Sequence, residues 1–435
     1  MEPVRAKRKL PMDKPWPEHS RFAVWAGFVL VLLLAPLVFS SSLGHNLLSQ
    51  MGIAIIACLS YNILLGQGGM LSFGHTVYTG MGSFLAIHSL KLAGLGLPLP
   101  VSLVPIVGGL ASLVLSLLLG WVTTRKSGTS FAMITLGMGE LVWAVSLLFP
   151  QFFGGEGGVS GNRVVGAPTL GLSYGPQIEL YYLIALYTLV CTALMYAFTR
   201  TPLGRMLNAV RDNPQRAEFI GYDARKLRYF AFAVAAFFAG IAGGLAALNF
   251  EIVTTEVLSG YRSGAYLLFT VLGGTTFFAG PILGAVLMVL CFVLLSELTR
   301  AWLLYVGLVF LFMLMLAPGG IASLVAMNLR IAFMGRLKPL LGLYLALAVA
   351  LLVTLAGATA MVEMAYHLQL NAALGSRMVF MGLPLDTSNL LSWLASTLLM
   401  LLGLAMFEPL RRRFVRRWNA IQQDLANDQR PGGKD

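Results

Sequence analysis

The chain has 435 residues, 57% of them hydrophobic and 11% charged, with a formal net charge of +12. Soluble domains carry roughly a quarter of their residues as charges, so composition excludes a water-soluble enzyme or carrier and indicates a polytopic membrane protein. The mean hydropathy of +0.79 agrees, and backbone groups in lipid must find their hydrogen bonds within the chain, which predicts an all-α fold.

The N-terminal stretch MEPVRAKRKLPMDKPWPEHSR is basic, and the apolar run behind it exceeds the h-region of a signal peptide. Residues 1–21 therefore read as a cytoplasmic segment ahead of a retained anchor. Runs close to the roughly 20 apolar residues needed to cross a bilayer follow at 22–41, 47–66, 76–95, 100–122, 129–149, 177–198, 229–249, 264–279, 281–298, 302–318, 339–361 and 389–407, about twelve spans. With the N-terminus inside, all but five of the 30 Lys and Arg fall in cytoplasmic segments; the exceptions are Lys91, Arg163, Arg262, Arg300 and Arg377. That asymmetry follows the positive-inside rule and places both termini in the cytoplasm. Membrane lipid, not nucleic acid, is then the polyanion that the basic tail EPLRRRFVRRW meets. Cys58, Cys191 and Cys291 lie apart in apolar spans, without metal or disulfide spacing, and read as small buried hydrophobes.

The stretch YNILLGQGGMLSFGHTVYTGMGSFLAIH, residues 61–88, interrupts an apolar region with Gly66, Gly68, Gly69 and Gly74. Non-helical backbone at membrane depth stands only against protein or a water-filled cavity. Gly68, Gly69, Ser72, Gly74 and His75 are therefore candidates for the solute path. For His75 a hydrogen-bonded structural role stands beside that reading. Glu140, inside SFAMITLGMGELVWAVSLLF, pairs with backbone or a buried base, or lines the same path. His88 lies near a span end, and Glu297 and Arg300 belong in interface water. Thr76/Gly80, Thr79/Ser83, Gly82/Ala86 and Ala236-xxx-Gly240-xxx-Gly244 are small residues four apart, which let helices approach closely. The loop PQFFGGEGGVSGNRVVGAPTLGLSYGP, 150–176, is turn-laden and expected outside.

Residues 201–228, TPLGRMLNAVRDNPQRAEFIGYDARKLR, form a compact basic insert between two apolar runs. Thr201-Pro202 fits an N-cap followed by Pro at the first helical position. Leu203, Met206, Leu207 and Val210 then share one side at helical spacing. Asn213-Pro214 stops that helix and starts a second, QRAEFI, which Gly221 ends. Two readings of this bent pair stand: an interfacial helix on lipid, or a docking surface for a cytoplasmic protein.

A third insert, MNLRIAFMGRLK, separates the main body from a last pair of spans whose outer loop is expected to contain Glu363, Arg377 and Asp386. The segment LLGQGGMLSFGHTVYTGMGSFLAI is echoed by VLGGTTFFAGPILGAVLMVL, each a Gly-rich break entering a span dense in small residues, as in transporters with internal repeats. The sequence contains no G-x-x-x-x-G-K-[ST] to cradle phosphates, no HExxH and no paired intramembrane acids.

Four stretches resemble the branched-chain amino acid ABC importer permeases of the LivM type. They are LLGQGGMLSFGH, SFAMITLGMGELV with the following GGEGGVSG, TPLGRMLNAVRDNPQRAEFIGYD, and LLFTVLGGTTFFAGPILGAVLMVL ahead of MLMLAPGGIASL. The resemblance covers roughly residues 45–325. It implies an importer permease fold over 22–325, with two added C-terminal spans in 326–407 and a basic cytoplasmic tail at 408–435. It further implies that 201–228 docks on an ATPase subunit, with Pro202, Gly204, Arg205, Arg211, Asp212, Ala217 and Gly221 at the matching places. The implied partners are a second related permease subunit, two cytoplasmic ATPase subunits that carry ATP and Mg, and a periplasmic substrate-binding protein at a bacterial inner membrane. The chain itself is then a transport subunit, not an enzyme. Urea or a short-chain amide as solute remains open, as does a stand-alone secondary transporter or channel.

Overall fold

The computed structural model describes residues 18–164, 173–317, 319–333, 338–370, 375–380 and 383–427. Most of the basic N-terminus, part of the outer loop at 165–172 and the last residues of the tail lie outside them. The first half gives α1 (Glu18–Val38), α2 (Ser42–Asn62) widening into a π-turn at Ile63–Gln67, α3 (Thr76–Gly94), α4 (Val104–Thr123) and α5 (Thr129–Leu148). A single turn, α6 (Pro150–Phe153), precedes α7 (Gln177–Arg200), α8 (Pro202–Asp212), α9 (Pro214–Phe219) and α10 (Ala224–Phe250). Then come α11 (Gly260–Gly273), α12 (Gly280–Val289), a π segment Leu290–Leu295 and the short α13 (Ser296–Leu298). The last helices are α14 (Trp302–Leu316), α15 (Gly320–Phe333), α16 (Lys338–Leu370) and α17 (Leu390–Asn427). Two short antiparallel ribbons join this helical fold: β1 (Val159–Ser160) with β2 (Ile252–Val253), and β3 (Arg377–Phe380) with β4 (Leu383–Asp386).

Among the described residues, eight helices are long and apolar enough to cross a membrane, and the bent pair Trp302–Met315 and Gly320–Leu329 makes a ninth if taken as one span. Three of the twelve expected runs fall outside that set. The run at 22–41 retains a described apolar helix over Ala23–Val38. The run at 76–95 forms α3, where Thr, Ser, His88 and Lys91 dilute the apolar residues. The run at 264–279 stops at Gly273, after a helix of 14 residues, about 21 Å against a hydrocarbon core of about 30 Å. Gly274, at φ +110°, ends it.

One compact unit comprises Phe22–Leu295 and Val306–Leu324. Its core is built on α10, whose Phe232, Ala236, Ala239, Gly240 and Leu245 are buried against α2, α3 and α4. The closest approach lies where Gly82, Gly108 and Gly240 meet: a Cβ on Gly82 would stand 2.6 Å from the Gly240 Cα, and one on Gly108 2.7 Å from the Gly82 oxygen. Ser83 Oγ donates to the Gly243 carbonyl at 2.8 Å and Ser112 Oγ to that of Tyr78 at 2.6 Å, fastening the three helices. The small-residue stripes thus mark real crossings, as packing within lipid requires.

The other unit comprises Met1–Arg21, Ser296–Tyr305 and Val325–Asp435. Within it α16 and α17 pack tightly at Gly357, where a Cβ would stand 2.6 Å from the Ser396 oxygen. Glu363 was expected in the connecting loop but lies inside α16, which continues to Leu370. Its Oε1 accepts hydrogen bonds from the hydroxyls of Thr299 and, at 3.1 Å, Tyr305, so the acid is satisfied where the apolar pattern ends. Arg377 and Asp386 do face each other across the β3–β4 ribbon. The MNLRIAFMGRLK insert is helical through Phe333, and residues 334–337 lie outside the described ones. Helix α17 runs through Pro409 to Asn427, making the last span and the start of the tail one rod.

Candidate functional site

Local chemistry shapes the 201–223 loop. Thr201 Oγ1 accepts the Gly204 amide at 3.2 Å and Pro202 opens α8. Asn213 Oδ1 accepts the Arg216 amide at 3.0 Å and Pro214 opens α9. At its end the Gly221 amide bonds the Glu218 oxygen at 2.9 Å and the Tyr222 amide the Ala217 oxygen at 3.1 Å. With Gly221 at φ +90° this is a Schellman stop. Asp223 then caps α10, its Oδ1 accepting the Arg225 and Lys226 amides at 2.9 and 3.2 Å. Those bonds, the Lys226 amide foremost, hold its carboxyl below the ordinary carboxylate range.

The apolar side read from the sequence faces inward. Val210 and Ala217 are buried with Ala224 and Leu227, Leu203 and Met206 pack against them, and Leu207 belongs to the main core. Gly204 is buried too: a Cβ there would stand 2.9 Å from the Thr199 Cα, so the close approach it permits is to α7 of its own chain. Pro202, Arg205, Arg211 and Asp212 are exposed. The residues that sequence reasoning passed over are at the tip, where Phe219 is 92%, Ile220 66% and Tyr222 43% exposed. Their signal was three large apolar side chains around a helix-ending glycine.

The structure divides the six path candidates among three places. Gly68 and Gly69 lie beneath α8: a Cβ on Gly68 would stand 3.5 Å from Leu207 Cδ1, and one on Gly69 2.7 Å from Arg211 Cγ. Ser72, Gly74 and His75 turn into the interior, Ser72 and His75 fully buried. There Tyr61 donates to the Ser72 oxygen at 2.7 Å, His75 Nε2 meets Ser60 Oγ at 2.9 Å, and the His75 amide donates to Ser263 Oγ at 3.2 Å. Among the described residues His75 Nδ1 and Ser72 Oγ have no hydrogen-bond partner. Gly74 packs on the backbone of α5, where a Cβ would stand 3.5 Å from the Gly139 nitrogen. Glu140 is exposed on α5, and its Oε1 would stand 2.9 Å from a Cβ on Gly260, where α11 begins.

At the other ends of α7 and α10, Arg163 is a hub. Its amide donates to Glu251 Oε1 at 2.8 Å and its guanidinium to the oxygens of Tyr174 at 2.8 Å, Gly175 at 3.0 Å and Leu248 at 3.4 Å, and to Gln177 Oε1 at 3.2 Å. Gln177 bonds Asn249 at 2.9 Å, which bonds Asn46 at 3.0 Å, so one polar chain ties α2, α7 and α10. In the sequence Arg163 is one cation in a glycine-rich loop, and nothing local indicates the Leu248 carbonyl and the Glu251 carboxylate, 85 and 88 positions away.

A family model described as the permease component of a branched-chain amino acid transport system matches residues 44–318. The chain belongs to that permease family. The high-affinity branched-chain amino acid transport system permease protein LivM of Escherichia coli K12 is 28% identical over 305 residues, which cover 64% of this chain and 70% of that protein. Its Salmonella typhimurium counterpart is 28% identical over 304 residues, with the same coverage. No solved structure matches. The permease match contains the loop, the glycine break and Glu140, and ends before α16 and α17. The chain is thus a multi-pass membrane permease of the branched-chain amino acid transport family.

Proposed function

We propose that this chain is the membrane-spanning subunit of an ATP-driven importer of branched-chain or other hydrophobic amino acids, and that the α8–α9 loop is where a separate ATPase docks. A second related permease, two ATPase subunits holding ATP and Mg, and a periplasmic binding protein complete the assembly. ATP binding on the partners favours one orientation of the solute cavity and hydrolysis resets it, so the coupling energy enters through the loop. One observation supports this most. The apolar side of α8, which a lipid-lying helix presents to the membrane, packs against its own chain, while Phe219, Ile220 and Tyr222 project at the tip.

The test replaces Phe219 and Ile220 by Asp and purifies the complex in mild detergent. Buried aromatic and aliphatic anchors at interfaces are worth about 2–4 kcal/mol, so ATPase retention should fall roughly thirtyfold or more, at unchanged membrane abundance. Full retention and wild-type uptake by the double variant would sink the docking reading.

A further inference from the structure

Helix α2 ends in the π-turn Ile63–Gln67, after which the amides of Gly68 and Met70 both return to the Leu64 oxygen, at 3.1 and 2.9 Å. The Gly66 oxygen, among the last carbonyls of this helix, receives the Arg211 guanidinium of α8. A cation there also meets the negative end of the helix dipole. Asn208 stands three residues before Arg211, on the same side of α8. Its Nδ2 donates to Gln67 Oε1 at 2.8 Å and to the Gly204 oxygen at 3.2 Å, which fixes the amide between the two helices. Gly69, at φ +62°, lies under the aliphatic stem of Arg211, where a Cβ would stand 2.7 Å from Cγ. Gly66 is wedged on its far side as well: a Cβ would stand 2.8 Å from the Thr275 oxygen in the break after α11. The two echoing glycine breaks therefore meet at this turn.

We propose that Asn208 and Arg211 are positioning residues that fasten α8 to the π-turn of α2, so that displacement of α8 enters the membrane helices at Gly66–Gln67 and passes to the 274–279 break. This rests on the docking reading of the loop and goes beyond it by naming where the movement is delivered. π-Turns are local departures from helical bonding that recur at functional sites, and here the turn's orphan carbonyl is bonded by the element that would move.

The test uses the assembled complex in liposomes and the purified chain alone. Asn208→Ala, Arg211→Ala and the exchanged pair Gln67→Asn with Asn208→Gln are compared with wild type. Both single variants should retain the ATPases and lose stimulation of hydrolysis. Solute imported per ATP should fall roughly two- to tenfold, the worth of one hydrogen bond. In the chain alone, hydrogen exchange of the Leu64–Met70 amides should quicken in both variants. The exchanged pair, which keeps the combined reach of the two amides, should restore both readouts. Unchanged import per ATP and unchanged exchange would overturn the proposal. So would loss of ATPases in parallel with uptake, because the contacts would then serve docking. Failure of the docking reading shows differently, as a wild-type chain that retains no ATPases, and the exchange measurement still decides whether these residues hold the turn.

Discussion

Gly204 shows how a residue's neighbours decide what its substitution reports. Its missing side chain faces the backbone of Phe198 and Thr199, so Gly204→Trp distorts the loop before any partner is met and does not isolate docking. Asp223 offers a cleaner measurement. As the cap of α10 it is stabilising in its ionised form, and its native carboxyl sits below the ordinary 3.8. The contribution is therefore complete above about pH 4 and is withdrawn as pH falls through the lowered native value. Asp223→Ala should cost about 1 kcal/mol at neutral pH and progressively less in acid. Asp223→Asn keeps the cap and should remove this part of the pH dependence. Thermal unfolding in detergent between pH 3 and 7 checks both, and an identical pH profile for wild type and Asp223→Ala would refute the assignment.

At the scale of elements, what the sequence disclosed was whatever is settled within a few residues. Thr201-Pro202, Asn213-Pro214 and Gly221 act through bonds spanning three to five positions, and the bent helix pair was legible from them. The stripes around Gly82 and Gly240 were legible too, because close crossing in lipid requires small residues. Long-range bonds were not. Asn208 meets Gln67 across 141 positions, and Arg163 meets Leu248 across 85. The reach of α16 to Leu370 is hidden from the apolar pattern for the same reason, since Glu363 ends that pattern but finds Tyr305 across 58 positions. That pairing predicts an asymmetry. Glu363→Gln keeps an acceptor for Thr299 and Tyr305 and should be mild. Glu363→Leu leaves two hydroxyls without their acceptor and should cost about 1–3 kcal/mol. Equal melting temperatures for the two variants would show that the bonds hold nothing together.

Across the whole molecule, charge and architecture agree on an orientation. Helix α7 runs 24 residues from Gln177, bonded by Arg163, to Arg200, which leads into α8. At about 1.5 Å per residue that is about 36 Å, enough to cross a bilayer. Helix α10 makes the return journey, from the cap at Asp223 to the polar chain at Asn249. The α8 end collects Arg200, Arg205, Arg211, Arg216, Arg225, Lys226 and Arg228. The end of α4 joins them there, because Tyr229 donates to the Leu117 oxygen at 2.9 Å and Arg125 lies 3.7 Å over the Trp121 ring. The Arg163 end carries few cations, and Arg163 itself is engaged with carbonyls. Short loops dense in Lys and Arg stay on the cytoplasmic side, which predicts the α8 end inside and the β1–β2 ribbon outside. Asn162 and Gln215 are exposed at the two ends, and Cys58 and Cys191 are buried, so single cysteines at 162 and 215 report cleanly once Cys291 is replaced. In intact cells a membrane-impermeant maleimide should label Asn162→Cys at once and Gln215→Cys only after permeabilisation. The reverse pattern would put the loop on the side where no ATPase can reach it, and the orientation and the docking proposal would fall together.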